Sequence, residues 1–257
     1  MTDVSGALQG RRFAGRVCVV TGGGSGIGAT TVRRFAAEGA RVIIVDVEAG
    51  PADALVAELR HDGATVEAVL ADVADEQAWQ DIAARAAAHG GAAVLVANAF
   101  TTVVEPAATM SLPDWERQLR VNLTGAFLGF RALSTQLADA GGSVVLVSSV
   151  HAVIGLPGHP AYAASKGGLT ALARQLAVDA GPQVRVNSVL PGPIDTRTWD
   201  GVDEAGRAIS AGETVLARMG RPAEVAAAIA FLASPDASYI SGASLPVDGG
   251  WSITKRY

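Results

Sequence analysis

Arg16-Val17-Cys18-Val19-Val20-Thr21-Gly22-Gly23-Gly24-Ser25-Gly26-Ile27-Gly28 decides how this chain folds. An apolar, β-branched run reads as a buried strand; a glycine-rich turn follows, and a helical pattern begins at once. Glycine lets the chain turn tightly and lets backbone N–H groups approach a pyrophosphate, which then sits at the positive end of the helix. Glycine is common in turns, so the context of strand before and helix after carries the reading. Gly22, Ser25, Gly26, Ile27 and Gly28 are the candidate phosphate contacts. Asp46 closes the next apolar run, about twenty residues on, where an acid can accept a hydrogen bond from a ribose 2′-hydroxyl. The same carboxylate repels a 2′-phosphate, and the loop holds no Arg or Lys to attract one. NAD(H) is therefore expected over NADP(H); the alternative for Asp46 is an ordinary acid at a strand end.

The pattern repeats outward from this unit. Apolar runs at Arg16–Thr21, Arg41–Asp46, Thr65–Leu70, Ala92–Ala97, Ser143–Ser148, Val184–Leu190 and Gly242–Val247 predict strands. Helical patterns fall at Gly26–Glu38, Pro51–His61, Asp75–His89, Leu112–Ala140, Ala161–Asp179 and Pro222–Leu232. Runs apolar throughout, rather than alternating, suit parallel strands covered on both faces, and strand–helix alternation predicts a doubly wound α/β sheet. Gly39, Gly63, Gly90 and Gly181 stand where helices should stop. No linker or repeat divides the chain, so residues 13–257 read as one domain behind a flexible extension, 1–12. The polar segment at roughly 196–217, with an exposed-looking Trp199, breaks the alternation; it is either a lid over a ligand or a surface helix with loops.

Composition narrows the function. The chain has 257 residues, 49% hydrophobic and 18% charged, with a net charge of −5. Lys and Arg are scattered, which argues against nucleic acid or an anionic membrane as partner. Cys18 is the only cysteine. No disulfide framework or thiolate metal cluster can form within the chain, which suits a reducing compartment. No apolar stretch precedes Arg16, and the uncharged stretch Gly141–Ser165 is broken by prolines, so a soluble cytoplasmic protein is expected. No clustering of His, Cys, Asp and Glu suggests a catalytic metal.

Tyr162 and Lys166 stand four apart on a predicted helix, hence on one face. A free phenol has a pKa of about 10, and a nearby cation favours the phenolate. Bringing it to neutrality needs roughly 4 kcal/mol of differential stabilisation. An exposed ammonium does not supply that; a lysine together with a cationic cofactor ring in a water-poor cleft could.

Taken together, these features resemble the short-chain dehydrogenase/reductase family in its common single-domain branch, over nearly the whole chain from about Phe13 to Ser252. The resemblance rests on motifs in the family's order. They are the glycine loop Thr21–Gly28, Asp72-Val73, Asn98-Ala99, Asn122 in Val121-Asn122-Leu123-Thr124-Gly125, Ser149 thirteen before Tyr162, Pro191-Gly192-Pro193-Ile194-Asp195-Thr196, and Tyr239–Gly250. That spacing selects Ser149 over Ser148. The resemblance implies a three-layer Rossmann fold on a mostly seven-stranded parallel sheet. It implies hydride transfer between a secondary alcohol or ketone and a nicotinamide, with Tyr162 as general acid/base. Ser149 would hold the substrate oxygen, and Lys166 would lower the phenol pKa and bind the ribose. Asn122 would hold a relay water. By the same resemblance Asp72 and Val73 contact adenine, Asn98 and Ala99 line the cofactor, and Pro191, Gly192, Ile194 and Thr196 flank the nicotinamide carboxamide. Asn122 could instead bend its helix, and Thr196 could be a cap. The family usually forms tetramers, and the apolar faces of Leu112–Ala140 and Leu169–Val178 suit such contacts.

One position departs from the family pattern. Phe100 stands where a glycine is expected, and it either turns outward or walls the nicotinamide side of the cleft, where it would shape the substrate pocket. His151, two past Ser149, and Trp199 are further substrate candidates; His151 could equally be a satisfied loop histidine. Reduction of 3-oxoacyl thioesters and a non-catalytic cofactor-binding role are the competing functions. The first usually draws on NADPH, against Asp46; the second has no need of all four catalytic positions.

Overall fold

The computed structural model describes residues 11–254. In chain order these form β1 (Val17–Thr21), α1 (Gly26–Ala37), β2 (Arg41–Asp46), α2 (Ala49–His61), β3 (Thr65–Leu70), α3 (Glu76–Ala88), β4 (Ala92–Ala97), α4 (Leu112–Leu119) and α5 (Gly125–Asp139). β5 (Ser143–Val147), α6 (Pro160–Ala180), β6 (Arg185–Pro191), α7 (Glu204–Glu213), α8 (Pro222–Ala233) and β7 (Ser244–Val247) follow. The seven strands make one sheet in the order β3-β2-β1-β4-β5-β6-β7, every neighbouring pair parallel.

Strand residues alternate between faces, and here both faces are buried. Cys18 and Val20 of β1 pack with Val32 and Phe35 of α1, Leu55 and Leu59 of α2, and Val225 and Ile229 of α8. Val17 and Val19 pack on the opposite face with Trp79 and Ile82 of α3, Leu133 and Leu137 of α5, and Leu169 and Leu176 of α6. That three-layer arrangement is why the runs are apolar throughout. The edge strands depart from it: β3 and β7 are only partly buried, with Leu70 64% exposed, because an edge strand has one neighbour and thinner helix cover. Cys18 lies wholly in the core, and burial pushes its thiol pKa well up, leaving a small inert apolar residue.

Four local readings change. The expected helix 112–140 is three pieces, with a π-helical segment, Arg120–Thr124, between α4 and α5. Gly39, Gly63 and Gly90 take left-handed φ of 86°, 82° and 101° after their helices, but Gly181 is extended, with φ −72°. In the expected flexible extension, residues 1–10 lie outside the described residues, while Arg12 is clamped by Glu38 at 2.6 and 2.8 Å and reaches Asp236 at 3.3 Å. The 196–217 segment is a short 3-10 turn, Arg197–Trp199, followed by α7, and Trp199 is half-buried rather than exposed. Among the described residues no helix is long and apolar enough to cross a membrane.

The topology positions the site. Chain order reverses between β1 and β4, which opens a crevice at the carboxyl ends of the strands. Gly22, Asp46, Asp72, Asn98, Ser149 and Gly192 all stand at or just beyond those ends.

Candidate active site

The glycine loop is held from behind. Thr21 Oγ1 accepts hydrogen bonds from the N–H groups of Asn98 and Ala99, both at 3.0 Å. The Asn98 amide donates to the carbonyls of Thr21 at 2.9 Å and Gly22 at 3.0 Å. A Cβ on Gly22 would stand 2.9 Å from Ala99 Cα, and one on Gly28 would run into the Gly22 carbonyl, so only glycine lets the turn close on α1. Ser25, the N-cap of α1, makes no side-chain cap bond, which leaves first-turn donors of the helix open to the cleft. Asp46 folds over this loop: its carboxylate accepts from Gly24 N at 2.8 Å and Glu48 N at 3.1 Å. Across the cleft, Thr196 faces Gly26, and Gly192 lies so close to Asp248 that a Cβ would sit 2.8 Å from its Cα. Thr196 makes no side-chain cap bond to the turn it precedes, so its hydroxyl is not spent on capping. Arg197 reaches Glu48 at 3.2 Å, an exposed ion pair between the two walls. Asp72 accepts from Ala74 N at 2.9 Å, and the buried Val73 gives its carbonyl to the Trp79 indole at 2.9 Å.

β5 delivers Ser148 and Ser149 in opposite senses. Ser148 Oγ donates to the Lys166 carbonyl at 2.7 Å, a bond inside the scaffold. Ser149 Oγ accepts from His151 N at 3.3 Å, and its hydroxyl acts to lower the Tyr162 phenol pKa. Lys166 is buried on α6, its Nζ donating to Val147 O at 2.8 Å and standing 5.3 Å from the Tyr162 ring and 5.5 Å from the Phe100 ring. Asn122 is joined to the same framework: its amide donates to Thr101 O and Ser165 Oγ, each at 3.0 Å, and accepts from Thr101 N at 2.8 Å. Ser165 in turn donates to Tyr162 O at 2.7 Å. The π-helical segment falls at this asparagine, as such segments often do at functional positions.

Electrostatics differ from a simple lysine–tyrosine couple. Burial pushes the Tyr162 phenol up to about 12, and the bond from Ser149 pulls it back only in part. Burial alone brings Lys166 down to about 7. In the protein without cofactor, burial therefore outweighs the Ser149 contribution at the phenol, and Lys166 is itself desolvated. An aromatic wall completes the cleft. Phe100 lies edge-on to Tyr162 at 6.1 Å, and His151 lies edge-on at 5.1 Å with His159 4.8 Å behind it. Phe100 thus turns toward the site, although its ring is 45% exposed. Trp199 stands outside this cluster; its carbonyl accepts from Arg207 at 2.7 Å.

A family model described as Enoyl-(Acyl carrier protein) reductase matches residues 22–252. The chain belongs to the short-chain dehydrogenase/reductase family. It is 43% identical to cis-4-hydroxycyclohexanecarboxylate dehydrogenase of Sinomonas cyclohexanicum, over 95% of this chain and 99% of that one. It is 39% identical to D-threitol dehydrogenase of Mycolicibacterium smegmatis, over 94% and 95%. The crystal structure of gox2181 superposes with a TM-score of 0.90 at 32% identity, covering 95% of this chain and 98% of that chain.

Dehydrogenases of the family use nicotinamide cofactors, and this cleft fits one. The uncapped start of α1 offers donors to a pyrophosphate, Asp46 offers acceptors to a ribose, and Gly192 allows close backbone approach on the opposite wall. Three hydroxyls that organise the site, those of Thr21, Ser148 and Ser165, were not among the residues expected from sequence. Those of Thr21 and Ser148 take their roles from partners 78 and 18 residues away in the chain, which no local pattern signals, while Ser165 bonds a carbonyl three residues back on its own helix and reaches Asn122 43 residues away.

Proposed function

We propose that the protein is an NAD(H)-dependent oxidoreductase that interconverts a secondary alcohol and a ketone, with Tyr162 as general acid/base. The observation that carries this reading is the convergence of Ser149, Tyr162 and Lys166, linked through Ser165 to Asn122, beside a glycine loop with an open helix start. Bound nicotinamide supplies the acceptor or donor of the hydride. Ser149 donates to the substrate oxygen and steadies its developing charge. Tyr162 takes the alcohol proton in oxidation and returns one in reduction. Lys166 holds the nicotinamide ribose and, with the positive ring nearby, offsets the burial that raises the phenol pKa. Asn122 keeps α4, the 101 loop and α6 in register around a relay water.

The preference for NAD(H) is supported by the Asp46 carboxylate, which already occupies the loop and repels a 2′-phosphate. The test is a panel of secondary alcohols and ketones followed by NADH absorbance, with Tyr162→Phe alongside. Turnover in the wild type, lost in the variant while cofactor still binds, supports the reading; a wild type inactive on the whole panel overturns it in favour of a cofactor-binding regulatory role. Similarity to a 3-oxoacyl-[acyl-carrier-protein] reductase of Thermotoga maritima, 36% identical over 94% of this chain, supports a second reading, 3-oxoacyl thioester reduction; efficient NADPH-dependent reduction of an acetoacetyl thioester would favour that instead. A homotetramer belongs to the same proposal, supported by a hollow on α5 and α6 lined by Leu123, Phe127, Gly168 and Leu172, with Phe127 42% exposed. A cytoplasmic setting is supported by the lone, buried Cys18.

A further inference from the structure

Lys166 is buried, and among the described residues no acid acts on its ionisation; burial alone does, bringing it down to about 7. Buried charges are normally paired, so an ammonium without a carboxylate needs another source of support. Val147 O accepts one of its three protons at 2.8 Å. Two rings flank the group. The Nζ lies over Tyr162, 5.3 Å from the centroid, and over Phe100 at 5.5 Å, the two rings standing edge to face at 6.1 Å. Both distances fall within the roughly 6 Å over which an aromatic face attracts a cation. The titratable groups turned toward Lys166 are Tyr162, on its own helix, and His151, on the turn after β5, with His159 behind His151. Burial pushes the phenol up to about 12 and brings His151 down to about 4, so both are neutral at pH 7 and neither is a counter-ion.

We propose that Phe100 is a positioning residue whose ring face helps keep the Lys166 ammonium charged inside the cleft, a support that glycine at this position does not give. The face of the ring carries negative charge density and lends it without water. A charged lysine is the form that favours a phenolate and donates all its protons to a ribose, so the consequence for turnover rests on the alcohol/ketone reading. The ionisation itself does not. The competing role for Phe100 is to exclude water, and the two roles differ in sign. A ring that only desolvates holds the lysine pKa down, so its removal raises that pKa. A ring that supports the charge holds the pKa up, and discarding the face while keeping apolar bulk lowers it.

The chain holds two lysines, Lys166 and Lys255. Lysine labelled with 13C at Cε therefore gives two NMR signals, and the one missing from Lys166→Met belongs to Lys166. That signal is titrated with pH, without cofactor, in wild type, Phe100→Leu and Phe100→Trp, with circular dichroism as the check on folding. Leucine keeps an apolar side chain and loses the face, so the proton affinity of Lys166 should fall by about two- to thirtyfold. Tryptophan, whose face attracts cations most strongly, should hold it at the wild-type value or above. Phe100→Met carries the same expectation as leucine and replaces it if that variant does not fold. An unchanged or raised midpoint in the leucine or methionine variant overturns the proposal in favour of simple water exclusion. A tryptophan variant that titrates as low as the leucine variant overturns it as well. Because the titration needs neither cofactor nor substrate, failure of the alcohol/ketone reading would leave its result standing.

Discussion

Replacing Lys166 with methionine separates catalysis from stability. The Nζ is fully enclosed, and burial moves the ammonium from 10.5 to about 7. At about 1.4 kcal/mol per unit, keeping the charge inside costs the wild type about 5 kcal/mol at low pH. The sign follows from proton counting. Between pH 7 and 10.5 the unfolded chain holds the lysine proton and the folded chain has released it, so wild-type stability rises with pH across that window. The cost is still about 4 kcal/mol at pH 7 and falls to about 1.5 kcal/mol at pH 9.5. Methionine has similar length and carries no charge; it forfeits the bond to Val147 O, whose loss costs about 1–3 kcal/mol at any pH. Lys166→Met should therefore match or exceed the wild-type Tm at pH 7. With roughly 2–4 °C per kcal/mol for a chain of this size, it should lose about 5–10 °C of that relative position by pH 9.5. Calorimetry at matched protein concentration, without cofactor, measures both. Turnover should vanish at every pH. A Tm difference that stays constant from pH 6 to 9.5 would refute the claim that a desolvated charge is what the lysine costs the fold.

Three further outcomes can be checked together. Oxidative kcat/KM should climb with pH through the neutral and alkaline range, because the base form of Tyr162 is disfavoured by burial, and the climb should disappear with activity in Tyr162→Phe. Gly28→Ala should weaken dinucleotide binding at least tenfold in a fluorescence titration, since its Cβ displaces the Gly22 carbonyl and with it the phosphate loop. Thr21→Val should lower stability by about 1–3 kcal/mol in urea titration, because the N–H groups of Asn98 and Ala99 lose their common acceptor.

Sequence disclosed what is local and what is periodic. A strand, a glycine turn and a helix lie in contiguous residues, so the phosphate loop can be read directly, as can the shared face of Tyr162 and Lys166. Strands with both faces buried announce themselves as unbroken apolar runs. The break at Asn122 does not, because it is imposed by hydrogen bonds to Thr101 and Ser165 from elsewhere in the fold. The thinly covered edges β3 and β7 carry nearly the same residue types as the interior strands, and their exposure follows only from sheet order. The low pKa of Lys166 is likewise a property of enclosure: the spacing places the lysine beside the phenol, but only packing decides that it is desolvated.

Because each parallel strand hands its residue to the same rim, the cleft is assembled from pieces spread between Gly22 and Thr196, and no contiguous half of the chain contains it. Catalysis thereby becomes a readout of complete folding: a nascent chain halted before β6 would hold the phosphate loop but lack the wall that faces it. The opposite rim carries the turns at Gly63, Gly90 and Gly141, remote from the chemistry. Those turns are the places where the polypeptide can be opened, lengthened or fused to another protein while the active rim is left alone.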